Sequence, residues 1–256
     1  MTRIISVVSG KGGVGKTTTV SNLGAALVKR GKNVIVLDAN VTTPNLSLHL
    51  GIPFYPITLH DVLKRKIPIE AAIYEHPSGM KVIPASLSAE AVKDTNIEKL
   101  QRVLINLLGR ADIIIVDSAA GLGREALTAM RLADELLIVT NPDLPAVTDA
   151  LKTIKIAEEN NTKILGVVLN RFRGKKHEMP VSEIRSMLNY PILTIVPEDS
   201  SVPKSIKNRS PVVHHKPNAR SSIAFKKLAA RISGEKFVEE IEEEKGWFDR
   251  LVFWLR

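Results

Sequence analysis

Short apolar runs alternate along this chain with longer segments in which apolar residues recur every three or four positions. Uninterrupted Ile- and Val-rich runs are typical of strands buried on both faces of a parallel sheet, and the longer period is typical of amphipathic helices. The runs predict strands at 4–9, 33–38, 81–84, 112–117, 135–140, 163–170 and 191–196. The periodic segments predict helices at 16–29, 59–64, 95–108, 123–132, 145–158, 181–188, 201–207 and 220–232. This alternation predicts an α/β fold, with a mostly parallel, twisted sheet of about seven or eight strands and helices on both faces.

A glycine-rich loop lies between the first predicted strand and the first predicted helix. Its sequence, GKGGVGKT, satisfies G-x-x-x-x-G-K-[ST], the phosphate-binding loop or P-loop. Glycines let successive backbone N–H groups turn towards an anion, and the following helix adds its positive N-terminal end. We expect Lys16 to reach the β- and γ-phosphates and the Thr17 hydroxyl to bind Mg²⁺. The predicted nucleotide contacts are Gly10, Lys11, Gly12, Gly13, Val14, Gly15, Lys16, Thr17 and Thr18.

Lys11 is a second cation that the ordinary loop motif does not require. It is too close to its own loop to fold easily onto the bound γ-phosphate, so it can point to a nucleotide held by another copy or remain a solvated surface lysine. The string GKGGVGKTT resembles the deviant Walker A loop of the MinD/ParA family, in which this lysine crosses a two-fold interface. The resemblance covers about residues 2–232 and reappears in the tail. It implies a P-loop NTPase fold, with ATP and Mg²⁺ as cofactors and an ATP-dependent homodimer.

Two predicted strands end in carboxylates at the same edge of the sheet. Asp117 follows a buried apolar run, as in a Walker B strand, and is expected to hold Mg²⁺ or its water. Asp38 matches the first carboxylate of the family's D-x-D switch, so Thr17, Asp38 and Asp117 are the predicted metal ligands. Asn40 falls where many members carry the second aspartate, the group associated with the attacking water. An amide orients water but cannot take a proton, so we predict slow hydrolysis. The predicted catalytic residues are Lys11, Lys16, Asp38, Asn40 and Asp117.

Base recognition is expected from the ends of later strands. The Asn170 amide can both donate and accept hydrogen bonds, as the edge of adenine requires, and it resembles the family's adenine-reading asparagine. Its neighbour Arg171 and the segment Pro197, Glu198 and Asp199 resemble the loops that pack near base and ribose. Guanine-specific loop enzymes read the base through N-K-x-D, which this sequence lacks, so ATP is favoured over GTP.

Composition limits the classes of protein and of partner. The chain has 256 residues and no cysteine, which excludes a disulfide framework and thiolate-bound metal or iron–sulfur clusters. The run after Met1 is a strand and no segment reaches the ~18 apolar residues of a membrane span, so we expect a cytoplasmic protein. The net charge of +9 is compatible with binding to nucleic acid or to an anionic membrane, and equally with a basic surface that is only solvated. Basic residues concentrate towards the C-terminus at Lys204, Lys207, Arg209, Lys216, Arg220, Lys226, Lys227 and Arg231.

The composition changes abruptly after residue 233. Six glutamates lie within 235–244, and both tryptophans of the chain lie within 246–256. We therefore predict an ATPase domain at 1–233, an acidic linker at 234–245 and an amphipathic helix at 246–256. At about 100° per residue, one face of that helix carries apolar side chains that suit a membrane surface. The alternative is packing on the protein itself or in a partner's groove. These side chains are Trp247, Phe248, Leu251, Val252, Trp254 and Leu255.

The tail distinguishes branches of the family. The iron–sulfur branches need cysteines, so the absence of cysteine excludes them. The tail-anchored-protein and arsenite ATPases carry large helical insertions, for which 256 residues leave little room. MinD-type members carry a C-terminal membrane-targeting helix, which the tail resembles. The resemblance therefore implies an ATP-hydrolysing spatial regulator that dimerises, attaches peripherally to the membrane, recruits a protein partner and positions the division site or another structure. A ParA-like ATPase that binds DNA nonspecifically is the alternative, and a non-catalytic scaffold is a third hypothesis.

Overall fold

The computed structural model describes residues 1–51, 54–65, 67–93 and 95–237. Within these residues eight strands form one sheet in the order β3-β4-β2-β5-β1-β6-β7-β8, and every neighbouring pair is parallel except β3 with β4. The strands are β1 Arg3–Val8, β2 Val34–Asp38, β3 Tyr74–Glu75, β4 Lys81–Ile83, β5 Ile113–Asp117, β6 Glu135–Thr140, β7 Lys163–Phe172 and β8 Ile192–Pro197. This arrangement confirms the predicted α/β fold and mostly parallel sheet.

The helices connect the strands and cover both faces of the sheet. In the described residues they are α1 Lys16–Lys29, α2 Leu46–Leu50, α3 Leu59–Arg65, α4 Ala89–Val92, α5 Leu100–Leu107, α6 Arg124–Arg131, α7 Leu144–Glu159, α8 Val181–Leu188, α9 Ser201–Lys207, α10 Val212–His215 and α11 Arg220–Ser233, with 3-10 turns at Ile69–Ala72 and Ile97–Lys99. None of these helices has the length and apolar character needed to cross a bilayer.

The core consists of apolar layers on the two faces of the sheet. On one face, Leu23 of α1 and Phe225 of α11 pack in a cluster with Val36 of β2. On the other, Leu100 of α5 packs in a cluster with Leu37. All five residues of β2 and all five of β5 are buried, as expected for central parallel strands. This burial fixes the strand ends that carry the candidate site.

The sequence pattern missed several short elements. β3 is a two-residue antiparallel strand at the sheet edge, and α2, α4 and α10 have five residues or fewer. Helix α2 begins where the backbone N–H groups of Asn45 and Leu46 donate to the Asp38 carboxylate, at 3.2 and 3.1 Å. This cap comes from the end of β2, seven and eight residues upstream, and not from the N-cap position, so the local pattern does not indicate it. The single helix predicted at 95–108 instead begins as the 3-10 turn Ile97–Lys99, where the Asn96 side chain accepts from Glu98 N at 3.0 Å.

Helix α11 ends at Ser233, and Gly234 adopts the left-handed conformation with φ of 72°. The predicted acidic linker is described only as far as Phe237. The rest of that linker and the predicted helix at 246–256, with the six apolar side chains predicted to contact a membrane, lie outside the described residues.

Candidate nucleotide-binding site

The glycine-rich loop connects β1 to α1 and packs closely against two neighbours. A Cβ at Gly10 would lie 2.3 Å from the backbone oxygen of Asp149, and a Cβ at Gly15 would lie 2.1 Å from Asn170 Nδ2. Gly13 and Gly15 adopt left-handed φ values of 77° and 101°. The path of the loop therefore requires glycine both for close approach and for backbone conformation.

Lys16 lies inside the loop and is 9% exposed. Its Nζ donates to Ser9 Oγ at 2.9 Å, and that hydroxyl donates to Lys11 O at 2.8 Å. Burial lowers the pKa of Lys16, and the negative charge of Asp117 opposes this shift. A desolvated ammonium at the first turn of α1 suits an anionic ligand, because helix N-termini favour negative charge.

Lys11 lies on the exposed side of the same loop. Within the described part of the chain its ammonium makes no hydrogen bond or ion pair, whereas its carbonyl accepts from Ser9 Oγ. The two lysines of the loop thus differ in position, since one is buried beside Asp117 and the other faces outward.

Asp117 ends β5 and is 1% exposed. Burial raises the pKa of its carboxyl to about 6, and the Thr17 hydroxyl and the Lys16 ammonium beside it oppose this shift. The Oδ1 atom is buried and has no hydrogen-bond partner among the described residues. An unpartnered carboxylate oxygen beside a hydroxyl fits a hard cation such as Mg²⁺, which takes oxygen ligands.

Asp38 lies beside Asp117 at the end of β2 and is fully buried. Burial, together with the charge of Asp117, raises its pKa well above its usual range. Its carboxylate accepts backbone N–H groups from Asn40, Asn45 and Leu46 at 3.1 to 3.2 Å. Asp38 therefore organises the loop that follows β2, in addition to placing its carboxylate next to Asp117, another of the predicted metal ligands.

Asn40 lies in that loop, and its amide both donates a hydrogen bond to Thr43 and accepts hydrogen bonds from it. Its Nδ2 donates to Thr43 O at 2.6 Å, and its Oδ1 accepts from Thr43 N and Thr43 Oγ1 at 3.2 and 3.1 Å. The adjacent Thr42 hydroxyl donates to the Glu125 carboxylate on α6. The loop is thus closed on itself and connected to the segment that follows Asp117.

The residues predicted to read the base meet at one cavity of about 160 Å³ beside the glycine loop. Asn170 is 5% exposed, and its Nδ2 donates to Val14 O at 2.7 Å. This bond uses one of the two N–H groups of the amide that is predicted to read adenine. The lining includes Thr18, Asn170, Arg171, Pro197, Glu198 and Asp199.

Asp199 has a structural role at this cavity. Its carboxylate accepts from Ser201 N at 2.8 Å, and from Ser221 N and Oγ at 3.2 and 2.8 Å. Burial would raise the pKa of Asp199, but these hydrogen bonds outweigh it and lower the pKa. The loop after β8 is therefore fixed to the start of α11.

Sequence reasoning missed Asn141 and the role of His60. With its amide oriented to donate, Asn141 reaches Asn170 O at 3.3 Å and Val14 O at 3.2 Å, so two strand-end asparagines support the loop. His60 is buried and connects Val41 O, at 2.9 Å, to the backbone N–H of Ser86, at 3.0 Å. The position of Asn141 directly after an apolar strand was a usable signal, whereas the partners of His60 are too distant in sequence to be inferred.

The comparisons with known proteins agree with this geometry. A family model described as ParA, NUBPL iron-transfer P-loop NTPase, matches residues 1–233. An uncharacterised ATP-binding protein of Methanocaldococcus jannaschii is 40% identical, with 95% of this chain and 92% of that protein covered. The septum site-determining protein MinD of Thermotoga maritima is 35% identical, with 98% of this chain and 96% of that protein covered.

Solved structures show the same fold. The septum site-determining protein MinD from Pyrococcus horikoshii, complexed with Mg-ADP, matches with a TM-score of 0.87 and 37% identity, covering 91% of this chain and 96% of that chain. The MinC:MinD cell division protein complex of Aquifex aeolicus matches with a TM-score of 0.83 and 31% identity, covering 93% and 98%. The chain therefore belongs to the ParA/MinD family of P-loop NTPases, as the resemblance of its glycine loop implied.

Proposed function

We propose that the protein is a MinD-like ATPase that works as a positional switch. ATP brings two copies together, the pair attaches to a membrane through two C-terminal helices, and hydrolysis separates and releases the copies. Nucleotide and Mg²⁺ binding are supported above all by Asp117, whose Oδ1 is buried and has no hydrogen-bond partner in the described chain. The Thr17 hydroxyl and the Lys16 ammonium lie beside the same carboxylate.

The glycine loop, Lys16 and Thr17 are the groups that would hold the triphosphate, and Thr17 with Asp38 and Asp117 would hold Mg²⁺. Bound there, Mg²⁺ neutralises charge on the phosphate oxygens. Lys16 supplies a desolvated cation to the same phosphates. Asp38 keeps the following loop in place through its three backbone hydrogen bonds. The P. horikoshii relative, complexed with Mg-ADP, supports this assignment.

Dimerisation in this proposal depends on Lys11. Its ammonium is exposed and, in the described residues, unpaired, so it is available to a phosphate held by a second copy. Each copy then contributes one cation to the other's nucleotide. Salt screens the attraction between a lysine and a polyphosphate unless the two are close. The contact therefore stabilises a dimer in which both copies hold ATP and does not stabilise a dimer of nucleotide-free copies.

Membrane attachment depends on the tail at 246–256. A single short amphipathic helix binds a membrane only marginally. Two helices on one dimer raise the apparent affinity by about 10²–10⁴ when both reach the same surface. The protein is then cytoplasmic when monomeric and peripherally membrane-associated when bound to ATP.

Hydrolysis is slow in this proposal, because Asn40 holds the place of a carboxylate and its amide is bonded to Thr43. The MinC:MinD complex and the MinD relatives support recruitment of a protein partner and a role in placing the division site.

Vesicle flotation tests the proposal. Full-length protein should float with anionic vesicles in ATP and not in ADP, and a chain ending at Gly234 should not float in either nucleotide. DNA retention that is sensitive to salt and survives truncation would replace this model with a ParA-like one. A stable ATP dimer without measurable turnover would instead indicate a scaffold.

A further inference from the structure

A basic groove lies along the outer edge of β8, between α8 and α11. Its volume is about 380 Å³, and the described residues that line it include four exposed cations and no acidic side chain. The cations are Arg185, Arg220, Lys227 and Arg231. Apolar side chains, among them Leu193 and Ile223, lie between them. The groove therefore suits an acidic segment with interspersed apolar residues.

The outer edge of β8 is open in the described sheet, because β8 is the last strand in the order. Arg231 covers part of this edge by donating from Nη1 to the carbonyls of Ile192 and Leu193. The remaining three cations have no hydrogen bond or ion pair in the described residues. Their charge is unneutralised locally, which increases the attraction for an anionic chain.

The chain itself turns back towards this groove after α11. Gly234 is left-handed, and Glu235 N donates to Ala230 O at 2.9 Å, so the backbone reverses direction. Glu235 then pairs with Arg30 and Lys32 at 2.8 and 3.0 Å. By Phe237 the chain again lies beside α11, with the ring 5.4 Å from Lys227 Nζ. Lys227 precedes Gly234 by about two helical turns.

The next eight residues, 238–245, have the composition that the groove requires. They contain five glutamates, one lysine and the apolar Val238 and Ile241. Fully extended, eight residues reach about 26 Å, whereas Lys227 and Arg220 are separated by only about 10 Å of helical rise. The segment is therefore long enough to pass from Lys227 to Arg220 along the groove.

We propose that residues 238–245 dock into this basic groove of their own chain. Because the segment is tethered at Phe237, its effective concentration at the groove reaches the millimolar range, and weak surface ion pairs are then sufficient for occupancy. Docking keeps the apolar tail at 246–256 close to the protein body, and an anionic surface competes for the same cations. The inference concerns the nucleotide-free chain without vesicles, so it stands or fails separately from the proposed ATP-dependent switch.

Tryptophan fluorescence of the full-length chain tests it, because the two tryptophans, Trp247 and Trp254, both follow the acidic segment. At about 20 mM NaCl the docked tail should give high anisotropy, which falls at about 500 mM as the charges are screened. The double variant Arg220→Glu, Lys227→Glu should lose most of this salt-dependent difference. The matched control Lys204→Glu, Lys207→Glu changes the net charge by the same amount on α9, outside the groove. This control should retain the salt-dependent difference in anisotropy.

A charge exchange gives the second arm of the experiment. Adding Glu240→Lys and Glu243→Lys to the groove double variant should restore the low-salt anisotropy. The proposal is overturned if the groove variant keeps the parent's anisotropy, or if the control pair lowers it equally. It is also overturned if the groove variant loses only retention on duplex DNA, since the groove would then be a nucleic-acid surface.

Discussion

Asp38 and Asp117 are direct register partners at the ends of the neighbouring parallel strands β2 and β5, and both side chains are buried. Two carboxylates in adjacent, desolvated positions disfavour double ionisation, and the pKa of each is raised by burial. The pair therefore needs a proton or a cation. A nucleotide site that brings Mg²⁺ to this position would relieve the repulsion.

The first prediction concerns Asp117→Asn in the absence of nucleotide. The pKa of Asp117 is about 6 in the folded chain, above its ordinary 3.8, so the folded state binds the extra proton between these values and stability falls as pH rises through that window. The amide does not titrate. The variant should therefore gain Tm relative to the parent above pH 6, and the advantage should disappear near pH 4.

Thermal unfolding from pH 4 to pH 8 measures this effect, and the parent with Mg²⁺ and ATP is the companion sample. Ligand should raise the Tm of the parent more than that of the variant, because the variant lacks the carboxylate charge. If the Tm of the two proteins changed with pH in the same way, the ionisation of Asp117 would not be the cause of the loss of stability.

A second prediction concerns Asn40. In Asn40→Asp the carboxylate gains the ability to accept a proton, so the single-turnover rate of ATP hydrolysis should rise. The same change replaces the donor to Thr43 O, so the free energy of unfolding should fall by about 1 kcal/mol. Rapid-quench measurements give the rate, and urea unfolding gives the stability. An unchanged rate would mean that another residue orients the water.

The third prediction separates the two lysines of the loop. Lys11→Ala should leave the stability of the monomer within about 0.5 kcal/mol of the parent, because the exposed ammonium has no partner in the described chain. It should still bind ATP but fail to sediment as a dimer with a slowly cleaved ATP analogue. Lys16→Ala should lose ATP binding itself. A dimeric Lys11→Ala protein that also floats with vesicles would refute the shared-lysine model.

The fourth prediction concerns Asn170, whose amide supports the glycine loop. Asn170→Ala removes one of the two amide donors to the buried Val14 carbonyl and leaves it with Asn141, which costs about 1 kcal/mol of unfolding free energy. Since the same residue lines the cavity predicted to hold adenine, ATP affinity should fall more than the affinity for inorganic triphosphate. Calorimetric titration with both ligands measures the difference. Equal losses would assign Asn170 to loop support alone.

The sequence predicted the parts of the fold that depend on local periodicity. The apolar patterns predict the central strands and long helices directly, and the motif GKGGVGKT by itself predicts the phosphate-binding loop. The contacts that give Asp38 and Asn170 their second roles could not be predicted. Asn170 bonds to a backbone group that strand order brings close, Val14 O, 156 residues away. Asp38 bonds to backbone groups two to eight residues further along, but only the fold of that loop turns their N–H groups towards its carboxylate. Motif spacing therefore predicts which residues lie at the site. Which of their donors and acceptors bond to the protein's own backbone, and which remain available to a ligand, is decided by packing.

The last prediction uses two glycines of the loop as a matched pair. In Gly10→Ala the new Cβ would lie 2.3 Å from the backbone oxygen of Asp149, and the backbone of α7 cannot move aside as a flexible side chain would. In Gly12→Ala the nearest atom is the Cβ of Ala120 at 3.8 Å, an ordinary contact. Gly10→Ala should therefore lose about 1–3 kcal/mol of stability through overpacking, and Gly12→Ala should stay close to the parent. Urea unfolding of both variants measures the contrast, and equal destabilisation would show that the loop does not pack against α7 in solution.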